Sequence, residues 1–154
     1  MKVTLDASVW LAALSAGEQE HGRCAALVAS LVDRKVPLHQ PGLFVIEVCA
    51  TIARRTRSRA LAMAAGEATL ASPYLTLYPL DHGLAAAAAE VAATCALRGA
   101  DAVYVATARQ AGAILLTLDA EVRERAGAIT AVRMPVEWVA VMTPSGAGPN
   151  VANR

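Results

Sequence analysis

Ala113-Ile114-Leu115-Leu116-Thr117-Leu118-Asp119 is a short, almost wholly apolar run that ends on an acid. It is too short for a packed helix and too apolar for a half-exposed strand, so it reads as a strand buried on both faces. Lys2-Val3-Thr4-Leu5-Asp6 repeats the pattern near the amino terminus. Further short strands are expected at 36–39, 75–78 and around 129–132. Helices are expected between them. The first starts near Ser8 and stops at Gly17. The second, 18–34, carries Cys24, Leu27, Val28, Leu31 and Val32 on one side. Pro41 and Gly42 open the third, which runs past Ile52 into Arg54, Arg55, Arg57 and Arg59. Helices at 60–71 and 82–97 follow, the latter capped by Asp81. Asp101 opens the next, Gly112 closes it, and a short helix ends at Arg125. Residues 135–142 form an apolar element whose type stays open. Short apolar strands alternating with helices predict an α/β fold with a mainly parallel sheet covered on both faces.

The 154 residues fit one domain, placed at 1–142, with a Gly-, Pro- and Asn-rich stretch at 143–154 expected as a flexible tail. Hydrophobic residues at 56% and charged ones at 18% exclude the signature of disorder. A net charge of +1 excludes a histone-like polyanion binder, so any nucleic-acid contact must come from local patches. Cys24, Cys49 and Cys95 are odd in number and lack metal-clip spacing, which predicts neither a disulfide framework nor a zinc finger. With Asp6 where a signal peptide needs its apolar run, and Glu90, Asp101 and Arg109 breaking the apolar stretches, a soluble cytoplasmic protein with no membrane contact is expected.

Four acids stand out. Asp6 and Asp119 follow apolar strands, and the carboxyl ends of parallel strands line the ligand crevice, so the two meet if their strands are neighbours. Glu47 lies inside Leu43-Phe44-Val45-Ile46-Glu47-Val48-Cys49-Ala50, where a lone charge is costly to bury. Asp101 sits between Cys95-Ala96-Leu97 and Ala102-Val103-Tyr104-Val105. Each has a plain structural alternative. Asp6, Asp101 and Asp119 can be helix N-caps. Glu47 can pair with Arg54 or face water. Capping explains acids singly; it does not explain a set with almost no basic partner nearby. Gathered carboxylates repel unless cations neutralise them, and hard divalent ions prefer such oxygens.

The order Leu5-Asp6-Ala7-Ser8, then Pro41 to Glu47, then Arg98-Gly99-Ala100-Asp101-Ala102-Val103-Tyr104-Val105-Ala106, then Leu116-Thr117-Leu118-Asp119 resembles the PIN-domain family. More narrowly it resembles the VapC-type toxins of bacterial toxin–antitoxin pairs, over residues 2–142. The resemblance implies a three-layer α/β/α sandwich and an Mg²⁺- or Mn²⁺-dependent endoribonuclease. It maps the family's acids onto Asp6, Glu47, Asp101 and Asp119, with Asp6, Asp101 and Asp119 holding metal. Glu121 is the nearest candidate for a further acid, though it also reads as an ordinary surface residue. Ser8 and Thr117 match hydroxyl positions beside the acidic pocket; a helix cap and a strand filler are the plain alternatives. The family also implies an RNA substrate, a homodimer and a cognate antitoxin covering the pocket.

Arg54 and Arg55, with Arg57 and Arg59, form the densest basic cluster and are candidates for RNA phosphate contacts or for an acidic antitoxin segment. A solvated helix end explains them equally well. Trp10 and Tyr104 can stack on bases or fill the core. His21, His39 and His82 share no useful spacing. An aspartyl-phosphate enzyme, such as a haloacid-dehalogenase-like hydrolase or a receiver domain, needs a Lys late in the chain. Lys2 and Lys35 do not supply it. The remaining alternative is a PIN-type fold that docks RNA or protein without cutting.

Overall fold

The computed structural model describes residues 1–142; the expected tail at 143–154 lies outside the described residues. The chain runs β1 (Val3–Leu5), α1 (Ala7–Leu14), α2 (His21–Asp33), β2 (Leu38–Pro41), α3 (Leu43–Thr56), α4 (Arg59–Leu70) and β3 (Leu75–Tyr78). It continues through α5 (His82–Cys95), α6 (Gly99–Ala111), β4 (Ile114–Leu116), α7 (Ala120–Ala126), β5 (Val132–Arg133) and α8 (Pro135–Met142). The strands form one sheet in the order β3-β2-β1-β4-β5, and every pairing is parallel. Val3, Thr4 and Leu5 face Ile114, Leu115 and Leu116 in register. Val3, Leu5, Leu115 and Leu116 are fully buried, as their unbroken apolar pattern requires. α6 packs across β1, β2 and β4, with α5 against it; α1 packs on α2 and α3, and α2 on α8. The chain builds one half of the sheet from β1 outwards, then returns beside β1 to build the other. The β1–β4 boundary is therefore the topological switch point, where such sheets open a crevice.

Several elements differ from expectation. Pro41 ends β2 instead of opening α3. Leu38 and Gly42 send their N–H groups to Tyr74 and Tyr78 on the β3 side. Alternation turns residue 41 towards β1, where the missing N–H of proline costs no ladder bond. The basic cluster is divided. Arg54 and Arg55 close α3, Arg57 adopts a left-handed cap at φ 56°, and Arg59 opens α4. Residues 135–142 are helical, and the last strand begins at Val132.

α3 and α4 pack tightly because Gly66 leaves space for Cys49. A Cβ at position 66 would stand 2.5 Å from Cys49 Sγ. Gly66→Ala is expected to cost about 1 kcal/mol, overpacking outweighing the gain in helix propensity. Adding Cys49→Ala should recover the loss. Urea unfolding of the two single variants and the double variant checks this, and additive losses would refute it.

Candidate active site

Asp6 follows β1 and caps α1: its Oδ1 accepts the Ser8 N–H at 3.0 Å. Its own N–H donates to Leu116 O on β4 at 2.9 Å. Thr117, fully buried just past β4, donates Oγ1–H to Asp6 Oδ2 at 2.6 Å and accepts the Asp119 N–H at 3.0 Å. One hydroxyl thus ties the two strand-end acids together. Asp119 caps α7 with Oδ1, accepting from the N–H groups of Glu121 and Val122. Asp101 lies in the first turn of α6 without capping it; the cap position belongs to Arg98.

Arg98 bridges two of the acids. Its Nε donates to Asp101 Oδ2 and its Nη2 to Asp119 Oδ2, each at 2.9 Å. Glu47, half-buried in mid-α3, accepts the hydroxyl proton of Tyr104 at 2.5 Å. The alternative Glu47–Arg54 pair is not formed: Arg54 donates to Thr51 Oγ1. The edge-on contact of Trp10 with Phe44, centroids 6.0 Å apart, fixes α1 against α3 and so Asp6 against Glu47.

Two adjoining hollows share Asp6, Ser8 and Leu118. The smaller, about 350 Å³, adds Arg98, Asp101 and Asp119. The larger, about 640 Å³, runs past Glu47 to Arg54 and Arg55. Arg55 is held there by Ser15 Oγ and Glu18. Arg57 and Arg59 line a separate apolar groove with Met63 and Cys49.

Residues 3–128 match the PIN domain family. The chain belongs to that family. Solved structures share its fold. VapC20 of Mycobacterium tuberculosis, a sarcin–ricin loop cleaving toxin, matches with TM-score 0.67 at 23% identity, covering 80% of this chain and 94% of that one. FitAcB from Neisseria gonorrhoeae matches at 0.66 and 24%, covering 87% and 98%. VapBC2 from Rickettsia felis, bound to a promoter DNA fragment, matches at 0.63 and 11%, covering 87% and 98%. None of the curated proteins matches the sequence.

This PIN domain brings Asp6, Glu47, Asp101 and Asp119 to two adjoining hollows that meet at Asp6 and Ser8, with Thr117 bonded to Asp6. Capping and site placement prove compatible, since Asp6 and Asp119 do both. Ser8 is not the cap of α1; it supplies the N–H that Asp6 receives. Glu121 is exposed and pairs with Arg125. His21, His39 and His82 line neither hollow.

Two hydrogen-bonding partners of the acids, Arg98 and Tyr104, are not identified as such by the sequence. Arg98 reads there as a helix end, and Tyr104 as a core or stacking ring. Yet Arg98, Asp101 and Tyr104 are spaced by three, which puts them on one face of a helix. That spacing is the signal that could have found both. Tyr104 is buried, and burial together with the neighbouring Glu47 pushes its hydroxyl far up, so it stays a donor.

The acids also feel one another. Burial raises the Glu47 carboxyl, Tyr104 opposes this, and Asp6 and Asp101 push it further up. Burial raises Asp101 too; Arg98 opposes, and Asp6 and Asp119 add to the rise. Groups whose folded pKa lies above the unfolded one bind more protons when folded. The cation-free protein should therefore lose stability as pH rises from the ordinary carboxylate value through these raised ones. Glu47→Gln keeps an acceptor for Tyr104 and removes the charge. It should raise the melting temperature at neutral pH and flatten its pH dependence; a lowered melting temperature would contradict this electrostatic picture.

The donor set is carboxylate oxygen throughout, the chemistry that suits Mg²⁺ or Mn²⁺ rather than a thiolate or imidazole metal. Among the described residues, no three His, Cys, Asp or Glu side chains are closed up as a ready-made cage. Each of the four acids instead has a hydrogen-bonding partner from its surroundings.

Proposed function

We propose that this PIN domain is a divalent-metal-dependent endoribonuclease and the toxin of a toxin–antitoxin pair. The observation that carries the reading is the convergence of four carboxylates from separate elements at the sheet's switch point. Asp6, Asp101 and Asp119 would hold Mg²⁺ or Mn²⁺, and Glu47 completes the acidic set. The ion, when bound, supplies Lewis-acid polarisation of the scissile phosphate and a more acidic water. The protein supplies the geometry. Thr117 orients Asp6 against Asp119, and Tyr104 engages one oxygen of Glu47. A carboxylate so placed can orient a nucleophilic water or take its proton. Arg54, and Arg55 once released from Glu18, offer phosphate contacts along the larger hollow; Ser8 lies where the two hollows meet.

The fold relatives support the partners. VapC20 is a sarcin–ricin loop cleaving toxin, and another relative is a toxin–antitoxin complex from Klebsiella pneumoniae. A cognate antitoxin over the pocket and a homodimer fit the exposed Ile46, Leu61 and Met63. Among the described residues, no helix is long and apolar enough to cross a membrane.

The test is cleavage of total RNA by purified, partner-free protein with Mn²⁺ and with EDTA. Cutting that needs the ion supports the nuclease. RNA or partner binding with neither cutting nor Mn²⁺ uptake would assign the fold to docking alone.

A further inference from the structure

The pocket contains a cation of its own. Arg98 stands on extended backbone just before α6, and its one guanidinium spans carboxylates from two different elements. Asp119 spends Oδ1 on the start of α7, so Oδ2 is the oxygen it presents to the hollow. Arg98 sits on that oxygen, and on Oδ2 of Asp101 as well. The arginine is held only lightly. Its side chain is 76% exposed, whereas those of Asp101 and Asp119 are 17% and 27% exposed. Ion pairs at such an exposed head group are weak, salt-sensitive and easily opened. A divalent ion that takes Asp119 through Oδ2 must share or win that oxygen from the guanidinium.

We propose that Arg98 is a built-in competitor for the divalent ion, clamping Asp101 and Asp119 in the cation-free protein and releasing them when the ion binds. The inference rests on the metal-dependent reading above and adds a residue that sets how readily the pocket loads. It makes metal affinity a balance between two cations rather than a property of the acids alone. A domain built this way keeps its like charges neutralised before loading, which limits their repulsion.

Calorimetric titration of the full chain with Mn²⁺ alone tests this, comparing wild type, Arg98→Ala, Arg98→Lys and Arg109→Ala. Arg109 is exposed at the far end of α6 and lines neither acidic hollow, so it controls for the change in net charge. Arg98→Ala should bind Mn²⁺ about three- to tenfold more tightly at low salt, the range that two exposed ion pairs allow. The gain should shrink as salt screens the wild-type clamp. Arg98→Lys, which cannot fork across both acids, should fall between. Unchanged or weaker binding by Arg98→Ala overturns the proposal, as does an equal gain in Arg109→Ala. If wild type binds Mn²⁺ and Arg98→Ala does not improve on it, only the clamp fails. If no variant binds Mn²⁺, the clamp and the metal-dependent reading fall together. Circular dichroism of Arg98→Ala establishes that the exposed substitution leaves the fold intact.

Discussion

Asp101→Asn should lower metal-dependent RNA cleavage by at least about 100-fold, the scale of losing a group that holds or orients a catalytic metal. The same substitution should leave the cation-free protein at least as stable as wild type. Asp101 is the acid on which the two effects separate most cleanly. Asp6 and Asp119 also cap α1 and α7, so replacing either by Ala removes about 1 kcal/mol of helix stability along with the charge. Asp101 caps nothing. Burial and the charges of Asp6 and Asp119 hold its carboxyl up against the pull of Arg98, so its ionised form is a net burden on the folded state. Asn keeps the shape and the hydrogen-bonding oxygen for Arg98 but ends the repulsion. Single-turnover cleavage with Mn²⁺, set beside a melting curve without it, checks both halves. Full activity in the variant would remove Asp101 from the chemistry; lost activity with a collapsed melting temperature would mean a folding defect instead.

The strand-end acids were legible because a buried parallel strand admits few polar residues, and an acid straight after one has few places to go. That logic singles out Asp6 and Asp119. It also treated capping and site chemistry as rivals. The structure gives each carboxylate's two oxygens different partners: Oδ1 takes a helix N–H, while Oδ2 takes Thr117 in Asp6 and Arg98 in Asp119, so capping does not exclude a place in the crevice. Partner identity was less legible. Arg98 and Tyr104 lie three residues to either side of Asp101, the first just before α6 and the second within it, a spacing that the strand pattern does not carry. The arginine cluster misled for a local reason. A left-handed Arg57 turns the chain between α3 and α4, so adjacent arginines serve different grooves. No pattern of apolar spacing announces a left-handed non-glycine residue.

Gln40→Leu should be among the most destabilising single changes near the site, at about 2–5 kcal/mol, since it orphans two buried peptide groups at once. Nothing in the sequence singles this residue out. β1 and β2 pair in register at Val3 and Leu38, and beyond that point the side chain of Gln40 replaces the strand. Its amide donates to Leu5 O at 3.0 Å and accepts the Leu5 N–H at 2.9 Å, the orientation these partners dictate. Gln40 is fully buried, so no water can take over. Leucine matches its bulk but leaves both Leu5 groups unpaired in an apolar setting. The damage falls on the peptide immediately before Asp6. Cleavage by the variant, measured at a temperature where it remains folded, should therefore drop as well. Urea titration checks the first claim: the midpoint should fall with little change in slope. A loss below about 1 kcal/mol would mean that β1 holds its end without the amide bridge, and that Asp6 is positioned by β4 and Thr117 alone.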